Sequence, residues 1–328
     1  MFKIRIPFFV FIILLCPGIL VAQTNNSSIF RFLDISPSAR AAALGGNHVG
    51  LYDANSSLFY LNPAYLSPAS SKNVAATFVN YLSDTRIGFA NGAYDIQGVG
   101  TLGIGIRYAG YGDFDLLDDS GNNLGDFRAS DLSLTTALST KLSEKLSAGA
   151  GFDLIHSSYH IYNSSAVTFS GGLYYQNTDQ RFSAGLSFRN LGDQIDYYNG
   201  QAEDIPFDIS LGLSKKPENF PFQLNLTLRQ LNDWDMRVFG EDEEPEFFDN
   251  LFRHVIFGGE ADFSDNFKFR LGYNRYLHEQ TKTGKDLDLA GVSIGVGFKV
   301  KDMVFDISRS SYSKIGGIVQ LSVRSQLK

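Results

Sequence analysis

From Val74 to the C-terminus, apolar residues alternate with small or polar ones at a period of two, and no other feature constrains the chain as tightly. Leu102, Ile104, Ile106 and Tyr108 alternate with Thr101, Gly103, Gly105 and Arg107. Phe182, Ala184, Leu186 and Phe188 alternate with Ser183, Gly185, Ser187 and Arg189. Near the end, Val292, Ile294, Val296 and Phe298 alternate with Ser293, Gly295, Gly297 and Lys299. Successive side chains of a strand point to opposite faces, so each segment has one apolar face and one small, polar face. Fourteen such segments can be drawn: 73–81, 85–94, 99–109, 129–140, 145–156, 164–176, 181–190, 205–214, 220–230, 252–262, 266–276, 287–299, 302–309 and 313–325. Most run about 9–12 residues, the length at which a tilted strand crosses a bilayer. Pro206, Pro217 and Pro221 stand at strand starts or in a turn and Pro245 in a loop, so no proline interrupts a strand interior.

The connections test this independently. Every second one is short: 95–98, 141–144, 177–180, 215–219, 263–265 and 300–301. The others include the long ones, 110–128, 191–204, 231–251 and 277–286. Short connections on one side and longer ones on the other are the asymmetry of outer-membrane barrels, whose short turns are periplasmic. An even strand count then puts both chain ends on the periplasmic side and the long loops outside. Tyr81, Tyr94, Tyr108, Tyr159, Tyr197, Tyr273, Tyr276 and Tyr312 fall at or near strand ends, where interfacial aromatic girdles sit. A soluble sandwich or solenoid also alternates, but keeps charge dense on its outer face. Charged residues are only 19% of this chain, and many sit in loops. The expected fold is all-β: a 14-stranded antiparallel transmembrane β-barrel over 73–328.

The first residues read as a secretory leader, 1–22. Lys3 and Arg5 precede an apolar run, Phe8 to Leu20, and Leu20-Val21-Ala22 suits cleavage before Gln23. Cys16, the one cysteine, lies inside it, so the mature chain would have no thiolate metal site and no cysteine nucleophile. Loss of Lys3 and Arg5 takes the formal charge from -7 to -9. A net acidic chain is a poor nucleic-acid binder, because phosphates need a basic face.

Several motifs suggest chemistry and fail on context. Gly98-Val99-Gly100-Thr101-Leu102-Gly103 has the dinucleotide spacing but runs into a strand, where a phosphate site needs a helix. Gly291-Val292-Ser293-Ile294-Gly295 matches a nucleophile elbow, yet Ser293 falls within a strand rather than a strand-to-helix turn. His156 and His160 would lie about 13 Å apart on a strand and could not share a metal. No catalytic, metal or cofactor site is expected, and the chain does not read as an enzyme.

The loop Gly240 to Phe248, "GEDEEPEFF", is the densest charge run. It reads either as a docking surface, as a site of divalent-ion bridging to lipopolysaccharide, or as a solvated loop that repels itself. Trp234, Phe239, Phe247 and Phe248 beside Glu243 and Glu244 suit a protein interface.

Residues 23–72 break the alternation. Ser36-Pro37 has the pattern of an N-cap and N1 proline, followed by a small helical run from Ser38 to Leu44 that Gly45-Gly46 closes. Ala39, Arg40, Ala41, Gly45 and Gly46 are its marked residues. Asp53-Ala54-Asn55 is a turn signal, and Asn62 can cap a helical turn through Pro63, Ala64 and Tyr65. Asn-Pro-Ala is also a water-channel signature, but that pore needs paired half-helices within helical spans. A thin helical segment ahead of a closed barrel is expected to plug the lumen.

"FLDISPSARAAALGG", the Asp-containing turn and "LFYLNPAYL" together resemble the N-terminal signature of the PorV/PorQ family, FadL-like 14-stranded outer-membrane proteins of the type IX secretion system. The motif strength lies in Phe32–Leu66, and overall length and the Phe-rich barrel are most similar to PorQ. The resemblance implies membership of the cell-surface attachment complex. There a PorV-like barrel carries cargo to PorU, and PorQ tethers PorZ, which engages anionic lipopolysaccharide. The ending Ser325-Gln326-Leu327-Lys328 departs from the terminal aromatic residue common in such barrels. With no separate cargo signal domain evident, the chain is expected to be machinery rather than cargo. A PorV-like cargo shuttle and a FadL-like transporter of hydrophobic small molecules remain open alternatives.

Overall fold

A computed structural model describes residues 28–53, 55–218, 220–238, 240–283, 288–312 and 316–327. The leader 1–22 and Phe239 lie outside the described residues. The strands are β1 (Asn73–Asn80), β2 (Arg86–Ile96), β3 (Gly100–Leu117), β4 (Asn123–Lys141), β5 (Leu146–Tyr159), β6 (Tyr162–Asn177), β7 (Phe182–Asp196), β8 (Asp208–Lys215), β9 (Phe222–Leu228), β10 (Val255–Ser264), β11 (Phe267–Asn274), β12 (Val292–Val300), β13 (Met303–Ser311) and β14 (Gly317–Gln326). Each pairs antiparallel with its sequence neighbour, and β1 closes on β14 from Asn73↔Gln326 to Asn80↔Val319. The result is a closed 14-stranded transmembrane barrel with no free strand edge.

The period-two pattern sorts residues to opposite faces. On β8, Asp208, Ser210, Gly212 and Ser214 are buried while Leu211 and Leu213 are exposed. On β3, Ile104, Ile106 and Tyr108 face outward, and Thr101, Gly103, Gly105 and Arg107 face the lumen. The apolar face is therefore the exposed one, which is stable against lipid and not against water. No helix among the described residues is long and apolar enough to cross a membrane; the crossing is by strands.

Three features differ from the sequence expectation. The span 110–128 is not a loop: β3 and β4 stay paired to Leu117↔Asn123, with register breaks near Gly110 and Leu116. Phe114 stacks on Phe127 at 5.3 Å and Arg128 donates to Asp113 at 2.6 Å, so polar and charged residues hide a hairpin in what reads as loop composition. Two helices interrupt the long connections, α2 (Phe247–Arg253) and α3 (Arg275–Thr281). Strand β11 stops at Asn274 because its side chain accepts from Leu277 N and caps α3. Finally, Tyr81, Tyr276 and Tyr312 do not join the outer girdle; they turn into a cavity at the long-loop end, whereas Tyr94, Tyr108, Tyr159 and Tyr197 are exposed.

Residues 28–72 fill the lumen. Their helix spans Ala39–Ala43 and is labelled α1 here, with short 3₁₀ turns at Arg31–Asp34, Ser56–Leu58, Pro63–Tyr65 and Pro68–Ser70. The molecule's apolar core is formed here, inside a polar wall. Phe32, Leu33, Phe59, Tyr60 and Leu66 pack against Val79, Ile87, Phe89 and Ile155 of the strands. Leu44, Val49, Leu51, Leu58, Leu61 and Tyr65 form a second cluster. Each fully buried leucine contributes roughly 1.5–3 kcal/mol.

Candidate functional site

The plug is held by three kinds of contact. The first is local capping. Ser38, not Ser36, is the N-cap of α1: its side chain accepts from Arg40 N at 3.2 Å. Ser36 lies too far upstream, and Pro37 leads into the cap instead of opening the helix. At the other end Gly45 N bonds Ala42 O and Gly46 N bonds Ala41 O, the double closure of a Schellman motif. Gly45 sits at φ 101, a conformation that favours glycine. Asn62 caps the following turn by accepting from Ala64 N at 3.0 Å.

The second is polar pinning to the wall. The Asn62 amide donates to Leu173 O at 3.1 Å, Leu186 O at 3.4 Å and Val49 O at 3.2 Å, so one side chain ties the plug to β6 and β7. Ser183 and Ser187 donate to Gly50 O at 2.9 Å and Leu61 O at 2.6 Å. Ser322 accepts from Ala39 N at 2.8 Å. His48 is fully enclosed: Nε2–H donates to Leu44 O at 2.9 Å, which leaves Nδ1 to accept from the Thr227 hydroxyl at 3.0 Å. Burial pushes its imidazole down to about 4, aided by Arg40 and opposed by the Leu44 carbonyl.

The third is ionic. Arg40 grips Glu260 with Nε–Oε2 at 2.9 Å and Nη2–Oε1 at 3.0 Å, and its remaining donors reach the carbonyls of Asp53 and Tyr52. Arg270 joins Glu260 at 2.5 Å and Asp306 at 2.7 Å. On the opposite wall Arg107 pairs with Asp153 and lies over the Tyr60 ring at 5.1 Å. Arg40 is thus the marked plug residue with the widest reach, and Asp53 contributes its backbone rather than its carboxylate. Composition gives no pointer to Glu260, Arg270 or Asp306, which are ordinary charges at lumen-facing positions of their strands.

Close approach explains the wall glycines. A Cβ on Gly185 would stand 1.7 Å from Val49 O, on Gly272 2.0 Å from Leu44 C, on Gly149 2.5 Å from Ala64 N, and on Gly295 2.5 Å from the Ala43 methyl. Pro63 and Ala64 therefore rest directly on β5, and α1 rests on β12. The Asn-Pro-Ala segment is a packing and pinning element.

Two cavities flank the plug. One of about 220 Å³ opens among Tyr81, Tyr276, Tyr312, Arg189, Asp208 and Gln230 at the long-loop end. It carries the Arg189–Asp208 pair at 2.8 Å beside Ile35, Phe207, Ile256 and Ile318, so polar and apolar groups share its lining. The other, about 550 Å³, lies at the short-turn end.

The long connection between β9 and β10 folds into a cap. Arg253 donates to Glu241 and Asp249, and Arg275 bonds Asp249 at 3.0 Å, so α2 is fastened to α3. The Arg253 hydrogen bond holds Glu241 below the usual carboxylate range. Trp234 stacks on buried His254 at 4.8 Å and meets the Phe247 ring at a tilt, 5.6 Å away. Phe247 and Phe248 are nonetheless 62% and 71% exposed, with Glu243 and Glu244 exposed beside them. Of the five carboxylates in the run, Glu241 alone is ion-paired among the described residues; with Asp249 it fastens the cap, whose outer face is aromatic and acidic.

A family model described as type IX secretion system protein PorV matches residues 22–225. No curated protein matches the sequence. Among solved structures, the toluene transporter TbuX of Ralstonia pickettii is 14% identical, covers 92% of this chain and 100% of its own, and gives a TM-score of 0.56. The Pseudomonas putida toluene transporter TodX is 13% identical over 89% of this chain and 98% of its own, with a TM-score of 0.55. A FadL homologue of Pseudomonas aeruginosa is 13% identical over 90% and 98%, with a TM-score of 0.51. At such identities the likeness is one of fold.

Proposed function

Given that the chain belongs to the PorV family of type IX secretion system proteins, we propose that it is a non-enzymatic outer-membrane barrel whose long-loop face anchors a surface partner. The observation that carries this reading is the fixed cap with Trp234, Phe247 and Phe248 exposed beside Glu243 and Glu244. Aromatic anchors with a charged rim are what protein interfaces use, and a pre-ordered face loses little entropy on docking. On this reading residues 1–22 direct export, 23–72 plug the lumen and 73–328 form the barrel. The termini are periplasmic and the long loops extracellular, next to lipopolysaccharide. The partner would be a PorZ-like surface protein within an attachment complex that also holds PorU-like and PorV-like components, making this chain PorQ-like.

A second reading, a PorV-like cargo shuttle, is favoured by the description of the matching family model. The two separate in one experiment: recovery of the tagged protein from native outer membranes after mild crosslinking. A single stoichiometric surface partner, lost on combined Trp234→Ala, Phe247→Ala and Phe248→Ala substitution, supports anchoring. A heterogeneous set of secreted cargo supports the shuttle, and no surface protein at all rejects both. Transport of hydrophobic small molecules is disfavoured by the packed lumen.

A further inference from the structure

Around Glu260, toward the short-turn end of the lumen, cations outnumber the carboxylates that engage them. Glu260 is shared by Arg40 and Arg270, with Lys268 at 3.6 Å. Asp306 is taken by Arg270. Asp262 is taken by Lys268 at 2.9 Å and by Lys216. Three carboxylates thus already face four cations, and Arg324 adds a fifth. The β14 register puts Gln320, Ser322 and Arg324 on the lumen face, with Arg324 opposite Ala75 on β1 and Val304 on β13. Its Nε is buried with no hydrogen-bond partner, and it makes no ion pair among the described residues. The charges within its field are Asp306 and Glu260, both already engaged, and the like-charged Arg40 and Arg270.

Arg324 also lines the cavity of about 550 Å³ at the short-turn end. Lys268 and Arg270 of β11 and Lys299 of β12 share that lining, opposed by Asp265 and Asp302 in the turns. Gly297, which lies between Arg270 and Asp306, adds no side chain to the wall. The Arg324 side chain is half-buried, with only Nε enclosed, so its guanidinium can meet an anion that enters the cavity. Its planar fork matches carboxylate and phosphate oxygens. Cations on three strands around one space suit a group with several acceptor oxygens and more than one charge.

We propose that the lumen mouth at the short-turn end is a phosphate-binding site in which Arg324, with Lys268 and Lys299, receives either free phosphate or a phospholipid headgroup. The rim position, with Phe298, Val304 and Leu327 in the same lining, makes both sources geometrically accessible.

The test uses the full chain purified in detergent free of phosphate. Inorganic phosphate is expected to raise the thermal unfolding midpoint above that in sodium chloride of equal ionic strength, and Arg324→Gln to abolish the difference. That outcome assigns free phosphate. Phosphatidylglycerol retained by the parent and lost from Arg324→Gln in native mass spectrometry, without a midpoint shift from phosphate, assigns the headgroup. A parent with neither response, or an Arg324→Gln variant that keeps the parent's response, overturns the proposal. Should Arg324→Gln fail to fold, Arg324→Lys is read instead. It keeps charge without the fork and is expected to weaken binding by about tenfold; unchanged binding rejects the site.

Discussion

At the residue scale, His48 and Glu260 show how a polar lumen becomes a fixed one. The docked His48 is neutral because it is sealed between Leu44 and Thr227, and its imidazole is held near 4. An undocked His48 would titrate near 6.5 and so bind protons more readily. The docked state is therefore favoured fully above about pH 6.5 and loses that contribution as pH falls toward 4, by roughly 3 kcal/mol in all. The plug of the parent is expected to become protease-sensitive between these limits, and His48→Gln to flatten the dependence; an unchanged pH profile in the variant would reject the assignment. Glu260 carries a sharper asymmetry. Removing Arg40 leaves Glu260 with Arg270 and Lys268, whereas removing Glu260 leaves the buried Arg40 guanidinium without a carboxylate and Arg270 with Asp306 alone. Glu260→Ala is expected to cost about 3–5 kcal/mol and Arg40→Ala clearly less, measured as thermal midpoints from heat-dependent gel mobility.

At the scale of elements, the plug and the wall are complementary backbones rather than complementary side chains. Gly185, Gly212 and Gly272 let Val49, Gly50 and Leu44 lie against β7, β8 and β11. Gly185→Val cannot be absorbed by a rotamer change, because the atom it meets is the Val49 carbonyl oxygen. It is expected to displace the 48–51 segment at a cost of at least about 1–3 kcal/mol. Limited proteolysis should cleave that segment in the variant while the barrel still migrates as a folded species. A variant as resistant as the parent would show that the wall moves instead. The period-two pattern placed every strand, each overlapping its expected segment, including β12 (expected 287–299) and β14 (expected 313–325). It missed α2 and α3, each of 7 residues, because their sequences carry loop-like charge and their helicity comes from Asn274 capping and the Arg253 and Arg275 ion pairs.

For the whole molecule, the issue is whether the barrel conducts. A closed wall filled by residues 28–72, with its larger cavity confined to one end, predicts no resolved ion current from the parent in planar bilayers. Gly185→Val, by loosening the plug, is expected to produce current. Large open-channel currents from the parent would contradict a packed lumen. The fold neighbours named as toluene transporters share the barrel at 13–14% identity, too little to carry their ligand to this chain.

The sequence alone determined the barrel, because a strand that is apolar on one face and small on the other has only one stable home when fourteen occur in a row. It also marked residues 28–72 as different in kind, since Ala39–Ala43, Gly45-Gly46 and Asn62-Pro63 follow helix-and-turn rules that local chemistry enforces. What only the tertiary structure decided is which residues meet. Arg40 and Glu260 stand 220 positions apart, and Asn62 meets the Leu173 and Leu186 carbonyls across 111 and 124. Such pairings depend on register and barrel closure, not on any local pattern. The same holds for Arg324, an ordinary basic residue in sequence, which lines a cavity without an ion pair among the described residues once closure against β1 and β13 fixes its neighbours.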